Sequence, residues 1–125
     1  MTFWLGLFLT SALDAHATPP PSSEDARRIV AILDYVTSDY GGAVRDGAVL
    51  SANEYAEQEG FVADAARLAA TLPSSDLDVA SGIATLQQDV ASLVPSAVVA
   101  QDAAALRAGL VRAYGVSLVP AAPVS

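Results

Sequence analysis

The chain has no cysteine among its 125 residues. Disulfides, thiolate metal ligation and covalent haem through a Cys-x-x-Cys-His segment are therefore excluded. It has no lysine either, and six arginines stand against 14 acidic residues, for a formal net charge of −8. That balance argues against nucleic acid as a partner, because phosphate binding needs basic residues and counterion release. It favours cations or a basic protein surface through long-range attraction. The one histidine, His16, lies near the N-terminus. The body of the chain thus offers no imidazole base for a serine nucleophile, and neither a G-x-S-x-G elbow nor a G-x-x-x-x-G-K-[ST] loop occurs. Aromatic residues make up 6%, too few for the sugar cleft that a catalytic carboxylate pair would serve. These absences predict a protein that is not an enzyme. No internal segment approaches the roughly 20 apolar residues that span a bilayer.

What is present is alanine and helical pattern. Hydrophobic residues are 53% of the chain, much of it alanine, the best helix former. The length fits one domain. Phe3 to Leu13 is a short apolar run followed by Ala15-His16-Ala17, a small-x-small cleavage pattern, so residues 1–17 read as a signal peptide. Export to a periplasmic or other extracytoplasmic compartment follows, and His16 leaves with the leader. Residues 18–23, TPPPSS, read as an extended, flexible lead-in. Residues 24–115 read as a helical bundle domain, and 116–125, with Pro120 and Pro123, as a C-terminal linker.

Ser23 is placed to cap a first helix, with Ile29, Ile32, Leu33 and Val36 on its apolar face. That helix is expected to end near Ser38 to Tyr40, ahead of Gly41-Gly42. Residues 41–50 are expected to form a glycine-rich loop packed over the bundle end, with a short hairpin as the alternative, since Asp46-Gly47 is a turn signal. Ser51 and Glu54 have capping-box spacing for a second helix running to Leu72 before Pro73. Its inner face is Tyr55, Val62, Ala65, Ala69 and Leu72. Ser74-Ser75-Asp76 opens a third helix to Val94, with a stripe of Ile83, Leu86, Val90 and Leu93. Ser96 opens a fourth to Tyr114, with Val99, Ala103, Leu106, Leu110 and Tyr114 inward and Gly115 terminating. Short connections predict an all-α, up-down four-helix bundle.

The chemistry is concentrated between Leu33 and Phe61. Asp34, Asp39, Asp46, Glu54, Glu57 and Glu59 crowd around Tyr35, Tyr40 and Tyr55, with Arg45 the only base in that stretch. Carboxylates and phenols are hard oxygen donors that suit hard cations. If the first two helices are antiparallel neighbours, Asp34, Asp39, Glu54 and Glu57 surround one end of the bundle as a metal site. The tyrosines would then add hydrogen bonds or, for ferric iron, phenolate ligands. The competing reading gives each acid a local duty: Glu54 as a cap, Asp39 and Asp46 as turn residues, the tyrosines as core.

Leu33-Asp34-Tyr35, Asp39-Tyr40, Gly42-Ala43-Val44, Asp46-Gly47, Val49 and Glu54-Tyr55-Ala56-Glu57 together resemble the N-terminal extracytoplasmic region of bacterial high-affinity iron permeases. The resemblance covers roughly residues 26–119 and is densest over 33–57. In fuller members this region precedes a cytochrome c segment, a membrane permease bundle, or both. The resemblance implies a role in iron uptake, with iron as a possible ligand and a permease or cytochrome module as partner. The family's Arg-Glu-x-x-Glu membrane motifs are absent from this chain, so none of their ligands transfers to it. The reading from a different class is a non-catalytic structural or docking bundle with no metal ligand.

Overall fold

The computed structural model describes residues 21–73 and 77–116. Four helices form it: α1, Pro21–Ala43; α2, Ala52–Ala69; α3, Leu77–Ala91; and α4, Ser96–Tyr114. Strands β1, Val44–Arg45, and β2, Ala48–Val49, lie between α1 and α2. α1 packs against α2 and α4, and α3 packs against α2 and α4. Each helix therefore touches its neighbours in sequence, and α4 closes the ring onto α1, the arrangement of an up-down four-helix bundle.

The core is built from the apolar stripes. α1 contributes Ala26, Ile29, Leu33, Val36 and Tyr40; α2 contributes Val62 and Ala65; α3 contributes Ile83, Leu86 and Val90; α4 contributes Val99, Ala103, Leu106 and Leu110. Burying one Leu, Ile or Val side chain is worth ~1.5–3 kcal/mol. The exposed Arg27–Glu24 and Arg67–Asp64 pairs fall in a class worth ~0–1 kcal/mol each. The stripes therefore dominate the stability.

Several boundaries differ from expectation. α1 begins at Pro21, so Ser23 lies inside the helix and not at its cap, and the lead-in ends by residue 20. α1 also continues through Gly41-Gly42 to Ala43. Two helical glycines cost ~1 kcal/mol each relative to alanine, but Tyr40, Ala43 and Val44 are all buried there, and that burial outweighs the penalty. The expected loop is a hairpin, pairing Val44 with Val49 and Arg45 with Ala48. Asp46 and Gly47 both have positive φ, 52° and 74°, as a two-residue hairpin turn of the Asp-Gly type requires. α2 stops at Ala69, although Leu72 is still buried. At α4 the N-cap is Pro95, with Ser96 the first helical residue. Val116, expected in the linker, is buried in the core. The signal peptide, the start of the third helix at Ser74–Asp76 and the rest of the linker lie outside the described residues.

Other termini match their expected chemistry. Ser51 Oγ accepts the Glu54 amide at 3.2 Å. Gly115 closes α4 in a left-handed conformation, φ 62°, its amide donating to the Val111 carbonyl at 3.0 Å. α3 ends differently. The Leu93 amide donates to Val90 O and the Val94 amide to Asp89 O, both at 3.2 Å, with Leu93 at φ 55°. This is a Schellman ending with leucine where glycine is usual, a backbone that costs of order 1 kcal/mol or more for a side chain with Cβ. Two tyrosines hold the same corner. Tyr40 OH donates to Val94 O at 2.7 Å and Tyr55 OH to Val90 O at 2.8 Å.

Tyr40 is fully buried, so Tyr40→Phe leaves the Val94 carbonyl without that donor. The expected cost is ~1–2 kcal/mol in urea unfolding. Tyr55→Phe, at a half-buried hydroxyl, is expected to cost less. Equal and negligible losses would show that the corner is held by backbone alone.

Candidate functional site

The four acids singled out in the sequence do not share one environment. Asp39 from α1 and Glu54 and Glu57 from α2 line a cavity of about 250 Å³, together with Ser38, Gly42 and Gln58. Asp34 lies more than a turn earlier and serves α4. Its two carboxylate oxygens accept from Arg107 Nε at 2.9 Å and a terminal guanidinium nitrogen at 3.3 Å. That two-pronged pair spends the Asp34 charge on tying α1 to α4. Among the described residues, no three His, Cys, Asp or Glu side chains stand close enough to hold a metal ion directly.

Local structure explains the three acids that meet. α1 runs down to Ala43, the hairpin reverses the chain, and α2 returns from Ala52. The C-terminal end of one helix and the N-terminal end of the next thus lie side by side. Glu54 and Glu57 are three residues apart and face the same way. They also sit in the first turns of α2, where negative charge is stabilised by the helix dipole. Asp39 has no such excuse. It lies near the negative end of α1, whose last turn has no basic residue. The cavity therefore combines three carboxylates where the negative end of α1 meets the positive end of α2, so its attraction for cations comes from the carboxylates. Gly42 gives Glu54 room: a Cβ built on Gly42 would stand 3.2 Å from Glu54 Oε2.

The tyrosines are engaged otherwise. Tyr40 and Tyr55 spend their hydroxyls on the α3 corner, and burial raises the pKa of both above 10.0. Tyr55 and Asp89 add to the rise at Tyr40, and Glu59 to that at Tyr55. Phenolate ligation of ferric iron is disfavoured at both. Tyr35 is 57% exposed and stacks on Phe61 at 5.7 Å between ring centroids.

Two polar residues not singled out in the sequence are buried. Gln58 is 1% exposed and Asp89 9%, and neither Gln58 Oε1 nor Asp89 Oδ2 has a hydrogen-bond partner. Both signals were present in the spacing. Gln58 falls between Tyr55 and Val62 on the α2 stripe, and Asp89 three residues after Leu86 on that of α3. A polar side chain in a core register is the mark of either a cost or a use.

A family model for the iron permease-associated 4-helix bundle domain matches residues 20–116, over three quarters of the chain. The chain belongs to this family. No curated protein and no solved structure shows significant similarity to it. The match agrees with the resemblance carried by residues 33–57 and places the iron permease-associated bundle in iron uptake. No described helix of the bundle is long and apolar enough to cross a membrane.

Asp89 of this bundle gives a pH signature. Burial, then a hydrogen bond and repulsion from Asp102, push its carboxyl from 3.8 up to about 6. A proton bound more tightly when folded stabilises the fold fully below the unfolded pKa. That stabilisation is lost as pH rises from about 4 through about 6. Asp89→Asn is expected to flatten this slope and to raise stability near pH 7.5 by ~1–3 kcal/mol. Urea midpoints across the range check it, and an unchanged slope would remove Asp89 as its source.

Proposed function

We propose that this bundle works in iron uptake outside the cytoplasm, as a non-catalytic domain that contacts iron and passes it to a membrane permease partner. The observation that carries the reading is the convergence of Asp39, Glu54 and Glu57 on one cavity between the end of α1 and the start of α2. Membership of the iron permease-associated family supports iron as the metal in this reading. The open, all-oxygen surroundings suit transfer more than storage, since a relay must release what it binds. In this reading Asp34 holds the fold through Arg107 and lies outside the contact. A cytochrome module is a further candidate partner.

A second reading is a docking bundle with no metal. It draws on the hairpin, where Val49 and Leu50 are exposed beside the acidic cavity, a surface suited to a basic partner with an apolar patch.

Anaerobic calorimetric titration of the full chain with ferrous iron separates the two. Saturable binding is expected in the wild type and in Asp34→Asn, and loss of binding in Asp39→Asn/Glu57→Gln. Gly42→Ala should displace the Glu54 carboxylate, weakening binding while leaving helix stability unchanged or higher by up to ~1 kcal/mol. No heat with the wild type would leave the docking reading.

A further inference from the structure

One outer face of α1 and α2 changes character along its length. On α1, Arg28, Ile32, Tyr35 and Asp39 recur at alternating spacings of four and three, so they form a single stripe. On α2, Leu68, Phe61 and Glu57 form the matching stripe, and the stack of Tyr35 on Phe61 at 5.7 Å sets the two side by side. Asp39 and Glu57 line the acidic cavity at the hairpin end. At the other end Arg28, Ile32, Arg67 and Leu68 line a second groove, of about 550 Å³. Between the two lie the rings, with Tyr35 57% exposed.

The charged ends are unmatched within one molecule. Arg28 has no partner in any described ion pair, and neither has Asp39 or Glu57. Arg28 and Asp39 lie 11 residues apart on one helix, about 16 Å at 1.5 Å per residue, too far to meet each other. The stripe is, however, complementary to itself when reversed. The midpoint between Arg28 and Asp39 is also the midpoint between Ile32 and Tyr35. A two-fold axis crossing the face there, at right angles to the helices, lays α1 antiparallel on α1 of a second copy and α2 on α2. Arg28 then meets Asp39 and Ile32 meets Tyr35, each twice. On α2 the same axis brings Arg67 to within about a residue of Glu57, given the helical rise and the Tyr35–Phe61 register.

We infer that this face is a self-complementary interface through which two copies of the chain pair head to tail. Such a pairing closes on itself as a dimer, because each copy offers the same patch. The net charge of −8 on each copy opposes pairing only weakly, since charges more than about 8 Å apart are screened at physiological ionic strength. The face is about 16 Å long and two helices, about 20 Å, wide. That is small for a specific interface, so the dimer is weak and reversible. The second copy and a cation in the acidic cavity draw on the same carboxylates and compete for them.

Sedimentation of the full chain in EDTA, at concentrations up to about 1 mM, tests the interface without that competition. The wild type is expected to pass from monomer to dimer as concentration rises. Arg28→Glu and Asp39→Arg are each expected to weaken pairing at least about tenfold, because symmetry counts every reversal twice. Mixing the two variants is expected to restore dimers, since in the mixed pair every basic position again faces an acidic one. Both positions are exposed and both new residues are good helix formers, so both variants fold. Weakened dimers that mixing does not restore overturn the inference, as do dimers that both variants leave intact. A wild type that stays monomeric throughout also overturns it and leaves the face to a different protein.

Discussion

The corner between α3 and α4 holds the bundle together as one unit. Leu93 sits there in a left-handed backbone that leucine adopts only at a cost. The compensation arrives from the two helices packed beside it, as hydroxyls of Tyr40 on α1 and Tyr55 on α2 reach the Val94 and Val90 carbonyls. One hydrogen-bonded knot thus joins α1 and α2 to the end of α3 and its connection to α4. It fixes the height of α1 and α2 relative to the second pair, and so fixes the facing of their own two ends. The acidic cavity exists at those ends. Tyrosines that looked like metal ligands in the sequence are the struts that place the carboxylates.

Charge is distributed unevenly over this scaffold. An acid that meets an arginine, as Asp34 meets Arg107, becomes structural. Asp39, Glu54 and Glu57 meet no base in any described ion pair, and they line a common space. The hairpin is what brings them together. A tight Asp-Gly turn returns the chain within a few residues, so the last turns of α1 and the first of α2 are immediate neighbours. A longer loop would have let the two ends separate.

The interior carries two departures from an apolar core. Gln58 and Asp89 occupy stripe positions yet keep oxygens without partners, and the two are accommodated differently. Below about pH 6 Asp89 escapes the cost of burial by holding a proton in company with Asp102, and above it the cost returns. Gln58 has no such chemical option, since an amide does not titrate. Its oxygen is sealed from solvent and carries the cost of burial.

The sequence by itself determined the number of helices, their apolar faces and the caps at Ser51 and Gly115. These depend on contacts within a few residues, and a 3.6-residue period is visible along the chain. It also determined the family, through the dense run from Leu33 to Glu57. Only the tertiary structure decided what each acid does. Asp34 and Asp39 are five residues apart on one helix, and nothing local says that the first will find Arg107, 73 residues on, while the second turns toward α2. The persistence of α1 through Gly41-Gly42 was equally hidden, because helix propensity favours a stop there and only the burial of Tyr40, Ala43 and Val44 against distant helices overrides it. Long-range pairing and burial are sums over partners that the chain brings together only on folding, which is why the face of a helix can be read from sequence and the neighbour of a carboxylate cannot.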